Sequence, residues 1–183
     1  MEDKYIKIMK DVAKWKEAFY EDIKENYIAK LSKEEKLKLA KDPDTSIFFL
    51  AVLGEDPDAG IRMEVAKHPL MPYVEDRELE EKLAKDPNAE IRKEVAKRSD
   101  ILPTTVDQLA NDPDPGVRKE IAKRSDLFPS TEDQLTNDQD REVRMEIAKN
   151  PAASTSNIKQ LANDPDPEVR AAARKKLNEI LRH

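Results

Sequence analysis

The chain has 183 residues, 39% charged and 38% hydrophobic, with a net charge of -6 and no cysteine. The missing thiols exclude disulfides, cysteine nucleophiles and cysteine-held zinc or iron–sulfur centres, and the negative total weakens nucleic-acid binding through an overall positive field. The apolar supply is thin for one round core but sufficient for a stack in which each repeat covers only its neighbours.

From the N-terminus, charges recur every few residues without an apolar leader, and no 18-residue apolar run occurs anywhere. This predicts a cytoplasmic protein with no membrane partner. Tyr5, Ile8, Val12, Trp15, Phe19, Ile23 and Tyr27 fall at steps of three and four, one apolar stripe on a helix from residue 3 to about 29. Residues 1–38 are read as N-terminal capping helices. The competing reading of the stripe is a docking or self-association face. Ser32 and Glu35 have the spacing of a capping box and predict a short helix to Lys41.

An acidic-then-basic phrase then recurs, starting at Asp42, Asp56, Asp86, Asp112, Asp138 and Asp164. The last three intervals are 26 residues each, preceded by one of 30 and one of only 14. We number positions from this first Asp as zero. Each full phrase forms a helix, preceded by a short connecting helix that ends in Leu-Ala or a close variant, so residues 39–183 read as a solenoid of two-helix repeats closed by a C-terminal capping helix. Asp58, Asn88, Asp114, Asp140 and Asp166 stand at N-cap positions, with Pro115 and Pro167 following at the first helical residue. Ile101, Leu102, Leu127 and Phe128, in the loops, are expected to fold into the core. The stretch 68–82 accounts for the 30-residue interval and is expected to bulge.

On a helical wheel, positions five, nine and ten form the apolar arc, and position six falls inside it. It is Arg62, Arg92, Arg118, Arg144 and Arg170, with Phe48 in the 14-residue copy. A buried guanidinium needs a carboxylate, so the spacing predicts a ladder in which each Arg meets an Asp of its own or the adjoining repeat, and an apolar rung at Phe48. Positions seven and eleven face away from the core: Met63, Lys67, Lys93, Lys97, Lys119, Lys123, Met145 and Lys149. Stacked, they make a lysine ridge flanked by Glu64, Glu94, Glu120 and Glu146, with Glu94–Arg98 and Glu120–Arg124 as i,i+4 pairs. This ridge is the candidate partner-binding surface for an acidic peptide or protein loop.

His68, in a predicted loop, and His183 offer no nucleophile–base set, and no phosphate-loop, zinc-protease or calcium-loop motif occurs. The paired aspartates recur at every turn, as structural groups do and catalytic pairs do not. No enzymatic activity, metal or cofactor is expected.

The phrases DPDPGVRKEIAKR and NPAASTSNIKQLANDPDPEVRAAA resemble the leucine-rich repeat variant family, relatives of HEAT-like repeats, over residues 39–176. The resemblance implies an all-α, right-handed superhelix of α plus short α or 3-10 units and a role as a protein-binding scaffold. The iron–sulfur cluster that some members carry on N-terminal cysteines has no ligands here. The alternative function is nucleic-acid binding on the lysine ridge, as in some HEAT-like solenoids.

Overall fold

The computed structural model describes residues 14, 17–71 and 77–182, and these residues form helices, turns and loops without a strand. The chain divides into two compact units, residues 1–83 and 84–183.

In the first unit, residues 17–22 are helical and run into a π-helix, Ile23–Tyr27, and a 3-10 turn, Ile28–Lys30. This breaks the expected stripe. Ile23 and Ile28, five residues apart, are buried, whereas Tyr27 is 51% exposed, because a π turn inserts one residue and moves the next inward position from i+4 to i+5. The Tyr27 ring lies against Phe49 at a centroid distance of 5.1 Å. Phe19 and Tyr20 meet Phe48 edge-on at 5.2 and 5.9 Å. Tyr5, Ile8, Val12 and Trp15 lie outside the described residues.

Four α-helices follow: α1 (Lys33–Lys41), α2 (Ile47–Leu53), α3 (Ala59–Lys67) and α4 (Glu78–Ala84). A complete capping box opens α1: Ser32 Oγ accepts from the Glu35 N–H, and Glu35 Oε2 accepts from the Ser32 N–H at 2.8 Å.

The structure corrects the register of the first repeat. Asp42 was expected at position zero with Phe48 as its sixth position, yet Asp42 is the C-cap of α1, and Ser46, not Asp44, N-caps α2. Counted 26 residues back from Asp56, position zero is Lys30, position six is Lys36 and position twelve is Asp42. Helix α1 packs on α3 as the phrase helices of the second unit pack on one another. The 14-residue copy is therefore no repeat. Its Asp-Pro-Asp is the loop between a phrase helix and the next connecting helix, so Phe48 sits on a connecting helix and not in the arginine ladder. A turn of this composition can end one helix or begin another, and only packing decides which.

The second unit contains α5 (Ala89–Ala96), α6 (Pro103–Ala110), α7 (Pro115–Ala122), α8 (Pro129–Thr136), α9 (Arg141–Lys149), α10 (Thr155–Leu161) and α11 (Pro167–Ile180). Phrase helices alternate with connecting helices, each packed on its neighbours in order, an all-α stack of repeats. The core follows the wheel. Positions five (Ile91, Val117, Val143, Val169) and nine (Val95, Ile121, Ile147, Ala173) are fully buried, as are Leu109 and Leu135 of the connecting helices. Each large aliphatic side chain so buried contributes on the order of 2 kcal/mol.

Small residues let the layers approach. In the first unit Gly54 stands where other connecting helices carry Ala or Thr, and a β-carbon there would meet Leu79 Cδ1 at 2.2 Å. Ile101 is buried and Leu102 and Leu127 are half-buried. Phe128, expected inside, is 55% exposed: it is the extended N-cap residue ahead of Pro129 and its ring stands in solvent. Of the expected bulge, Met71 and Leu79 are buried, and residues 72–76 are not among those described.

Candidate interaction surface

Each phrase helix after α1 begins at a carboxylate or amide cap. Oδ1 of Asp58, Asp114, Asp140 and Asp166 accepts from two successive backbone N–H groups at 2.7–3.3 Å, and Asn88 accepts from the Glu90 N–H at 2.9 Å. These bonds satisfy donors that a helix start leaves open, and the four aspartates also place negative charge at its positive end.

Capping fixes the turn, and the turn organises the arginines. Arg92, Arg118 and Arg144 each send Nε and Nη2 to both carboxylate oxygens of the Asp twenty residues on, Asp112, Asp138 and Asp164, at 2.7–3.0 Å. Their Nη1 atoms donate to the position-zero carbonyls of their own turns, Asp86, Asp112 and Asp138, at 2.7–2.8 Å. The same Asp carboxylates also accept the N–H two residues later, as Asp112 does from Asp114 at 2.9 Å. One guanidinium thus ties its own turn to the next, which the point charge of lysine cannot do. Hydrogen bonding to the Asp raises the pKa of all three arginines.

In the first unit, Lys36 reaches Asp56 at 2.9 Å across the same twenty residues. Arg62 and Arg170 donate through Nη1 to their own turns, Arg62 to Asp56 and Pro57 and Arg170 to Asp164 and Pro165.

A second ladder escaped sequence reading. At position twelve stand His68, Arg98, Arg124, Asn150 and Lys176, four different side-chain types. Four of them donate to a carbonyl 26 residues earlier: His68 Nε2 to Asp42 at 2.8 Å, Arg124 to Arg98, Asn150 Nδ2 to Arg124 at 2.6 Å, and Lys176 to Asn150. His68 follows the last residue of α3 at the start of the loop, as expected, and is 2% exposed. Its Nδ1 accepts from the Leu70 N–H, which puts the ring proton on Nε2. These donors satisfy carbonyls at the C-terminal ends of the preceding phrase helices. A scan for N–H capacity at a fixed position, rather than for identity, would have found them.

Five of the six ridge lysines are charge-compensated. Lys97 pairs with Glu94 and Lys123 with Glu120, each at 2.8 Å, and Lys93 with Glu90 at 2.7 Å. Lys119 reaches Glu142 and Glu146 of the next repeat at 3.4 and 3.6 Å, and Lys67 lies 3.6 Å from Glu64. The expected partners Arg98 and Arg124 turn instead to Asp100 and Asp126, because both lie beyond the last helical turn where i,i+4 geometry ends. Met63, Lys93, Lys119 and Met145 are half-buried; Lys67, Lys97, Lys123 and Lys149 are exposed. The Glu94 hydrogen bond raises the Lys97 pKa; Lys119 is also raised, its contacts with Glu142 and Glu146 outweighing burial. Beside the ridge, Lys97, Ser99, Lys123, Arg124 and Ser125 line a groove of about 410 Å³.

Among the described residues no group of three or more His, Asp or Glu is placed to hold a metal ion, and no helix is long and apolar enough to cross a membrane. A family model described as HEAT repeat matches residues 156–183, the span of α10 and α11. Comparison with curated proteins and with solved structures yields no match. The match and the stacked helix pairs support a HEAT-like helical repeat protein.

Proposed function

We propose that this chain is a non-catalytic, cytoplasmic interaction scaffold of the leucine-rich repeat variant kind, which binds a peptide or protein surface along its ridge. HEAT repeats generally mediate protein–protein interaction. The observation that carries the choice of surface is the groove beside Lys97 and Lys123, where ammonium groups, serine hydroxyls and the Glu120 and Asp126 carboxylates meet. Alternating charge of this kind suits a protein surface with its own mixed charges. It suits a phosphate backbone less, because five of the six ridge lysines, all but Lys149, already have a glutamate beside them. Phe19 and Tyr20 are engaged with Phe48 within the chain, which supports a capping role for the N-terminal helix over self-association.

Charge reversal of Lys93 and Lys119 together should abolish partner capture in a pull-down from the source cell while the thermal melt stays cooperative. Unchanged capture would remove the ridge from consideration. Binding of RNA or DNA with a steep salt slope would transfer the surface to the nucleic-acid alternative.

A further inference from the structure

Lys67, Lys97, Lys123 and Lys149 are the exposed lysines of the ridge, and the last differs from the others. Lys67, Lys97 and Lys123 each pair with the glutamate three residues earlier, Glu64, Glu94 and Glu120. Lys149 has Glu146 at that spacing, yet it pairs with no carboxylate among the described residues. The cause lies one repeat earlier. Lys93 finds Glu90 at position four of its own helix, whereas Lys119 finds Gly116 there. Lys119 therefore turns to the next repeat, where it lies 3.4 Å from Glu142 and 3.6 Å from Glu146. Helix α11 supplies no glutamate in exchange: position eight, a glutamate in α3, α5, α7 and α9, is Ala172.

An unpaired ammonium takes a partner's carboxylate without first giving up one of the chain's own, so an acidic partner gains most at Lys149. Met145 stands four residues before it on the same face of α9 and is half-buried. Its thioether gives a soft apolar surface one helical turn from the free charge.

We propose that Lys149 and Met145 anchor the partner on the ridge, and that the occupant is an acidic helix of a partner protein. A glutamate of that helix meets Lys149, and a leucine four residues away covers Met145. The assignment rests on the ridge being the interaction surface. A helix fits because its own i,i+4 side chains repeat the spacing of Met145 and Lys149.

The probe is a labelled peptide of three Glu-Ala-Ala-Gln-Leu units, titrated against the full chain at low salt by fluorescence anisotropy. Saturable binding is expected, weakened about threefold or more by Lys149→Gln. Ala172→Glu restores the glutamate of the other phrase helices and should weaken it by a similar factor, so the outcome does not hang on one variant. Lys97→Gln removes a paired lysine and should leave the affinity unchanged. Equal losses in Lys97→Gln and Lys149→Gln keep the ridge but overturn Lys149 as its anchor. Absence of binding, or binding untouched by both Lys149→Gln and Ala172→Glu, overturns the acidic helix at this place, while the pull-down with Lys93 and Lys119 reversed reports separately on the ridge. Tighter, Lys149-dependent binding of a uridylate decamer overturns the carboxylate assignment.

Discussion

Arg118 grips Asp138 through two parallel N–H···O contacts of 2.7 and 2.8 Å, although twenty residues separate them, and both side chains are only 7% exposed. The pair is the central rung of the second unit. Removing one member leaves the other charge buried, so Arg118→Ala should lower stability by about 3 kcal/mol or more. Arg118→Lys should lose roughly 1.5 kcal/mol, because only one contact can be rebuilt. Urea denaturation checks both, and an unchanged midpoint in Arg118→Lys would dismiss the ladder as a source of stability.

Lys36 holds the equivalent rung of the first unit with one nitrogen, on Asp56. Replacing it with arginine supplies the missing second contact, and Lys36→Arg should gain on the order of 0.5–1 kcal/mol. Lys36→Met should lose more than that gain. A chemical melt that ranks Arg at or below Lys would show that position six of this repeat differs from the others.

Asn150 is buried and donates to the carbonyls of Ala122 and Arg124 while accepting from the Ala152 N–H. Asn150→Leu leaves all three groups unpaired and should cost about 2–3 kcal/mol. Asn150→His, the residue found at the same position in the first unit, should cost distinctly less. Equal losses in thermal unfolding would mean that packing, not carbonyl satisfaction, selects this position.

Acid should weaken the stack. Burial pushes the Asp164 carboxyl up, but the Arg144 fork and the Asp166 N–H outweigh it and hold the group below its ordinary 3.8. Asp166 is lowered by the Val169 and Glu168 N–H groups, and Asp58 chiefly by Lys33. A lowered folded-state pKa gives stability that is present above about pH 4 and lost as pH falls through the folded value. The urea midpoint should therefore hold from neutral pH down to about pH 5 and fall steeply below about pH 4. Asp164→Asn should lower the neutral plateau and flatten the acid limb; an acid limb as steep as before would refute this assignment.

Features that depend on a few neighbouring residues were legible before any coordinates. The Ser32–Glu35 box and the fully buried positions five and nine of the phrase helices follow from local capping and helical period. So does the need of an arginine inside an apolar arc for some carboxylate. Where a local signal admits two placements, the reading failed. Asp42-Pro43-Asp44 has the composition of a repeat start but closes α1, Tyr27 lost its inward place to a π turn, and Phe128 turned outward at an N-cap. Position twelve was invisible because His68, Arg124, Asn150 and Lys176 share a donor function and no chemistry of type.

Period, helix caps and the all-α class belong to the chain as written, since each is set by interactions within about one helical turn. Packing alone decided that α1 is a phrase helix, that Lys36 takes the arginine's place, which aspartate each arginine grips, and that Lys119 faces the glutamates of the next repeat. Those outcomes rest on contacts between residues 20 to 28 apart, whose energies depend on how two helices dock and not on what either contains.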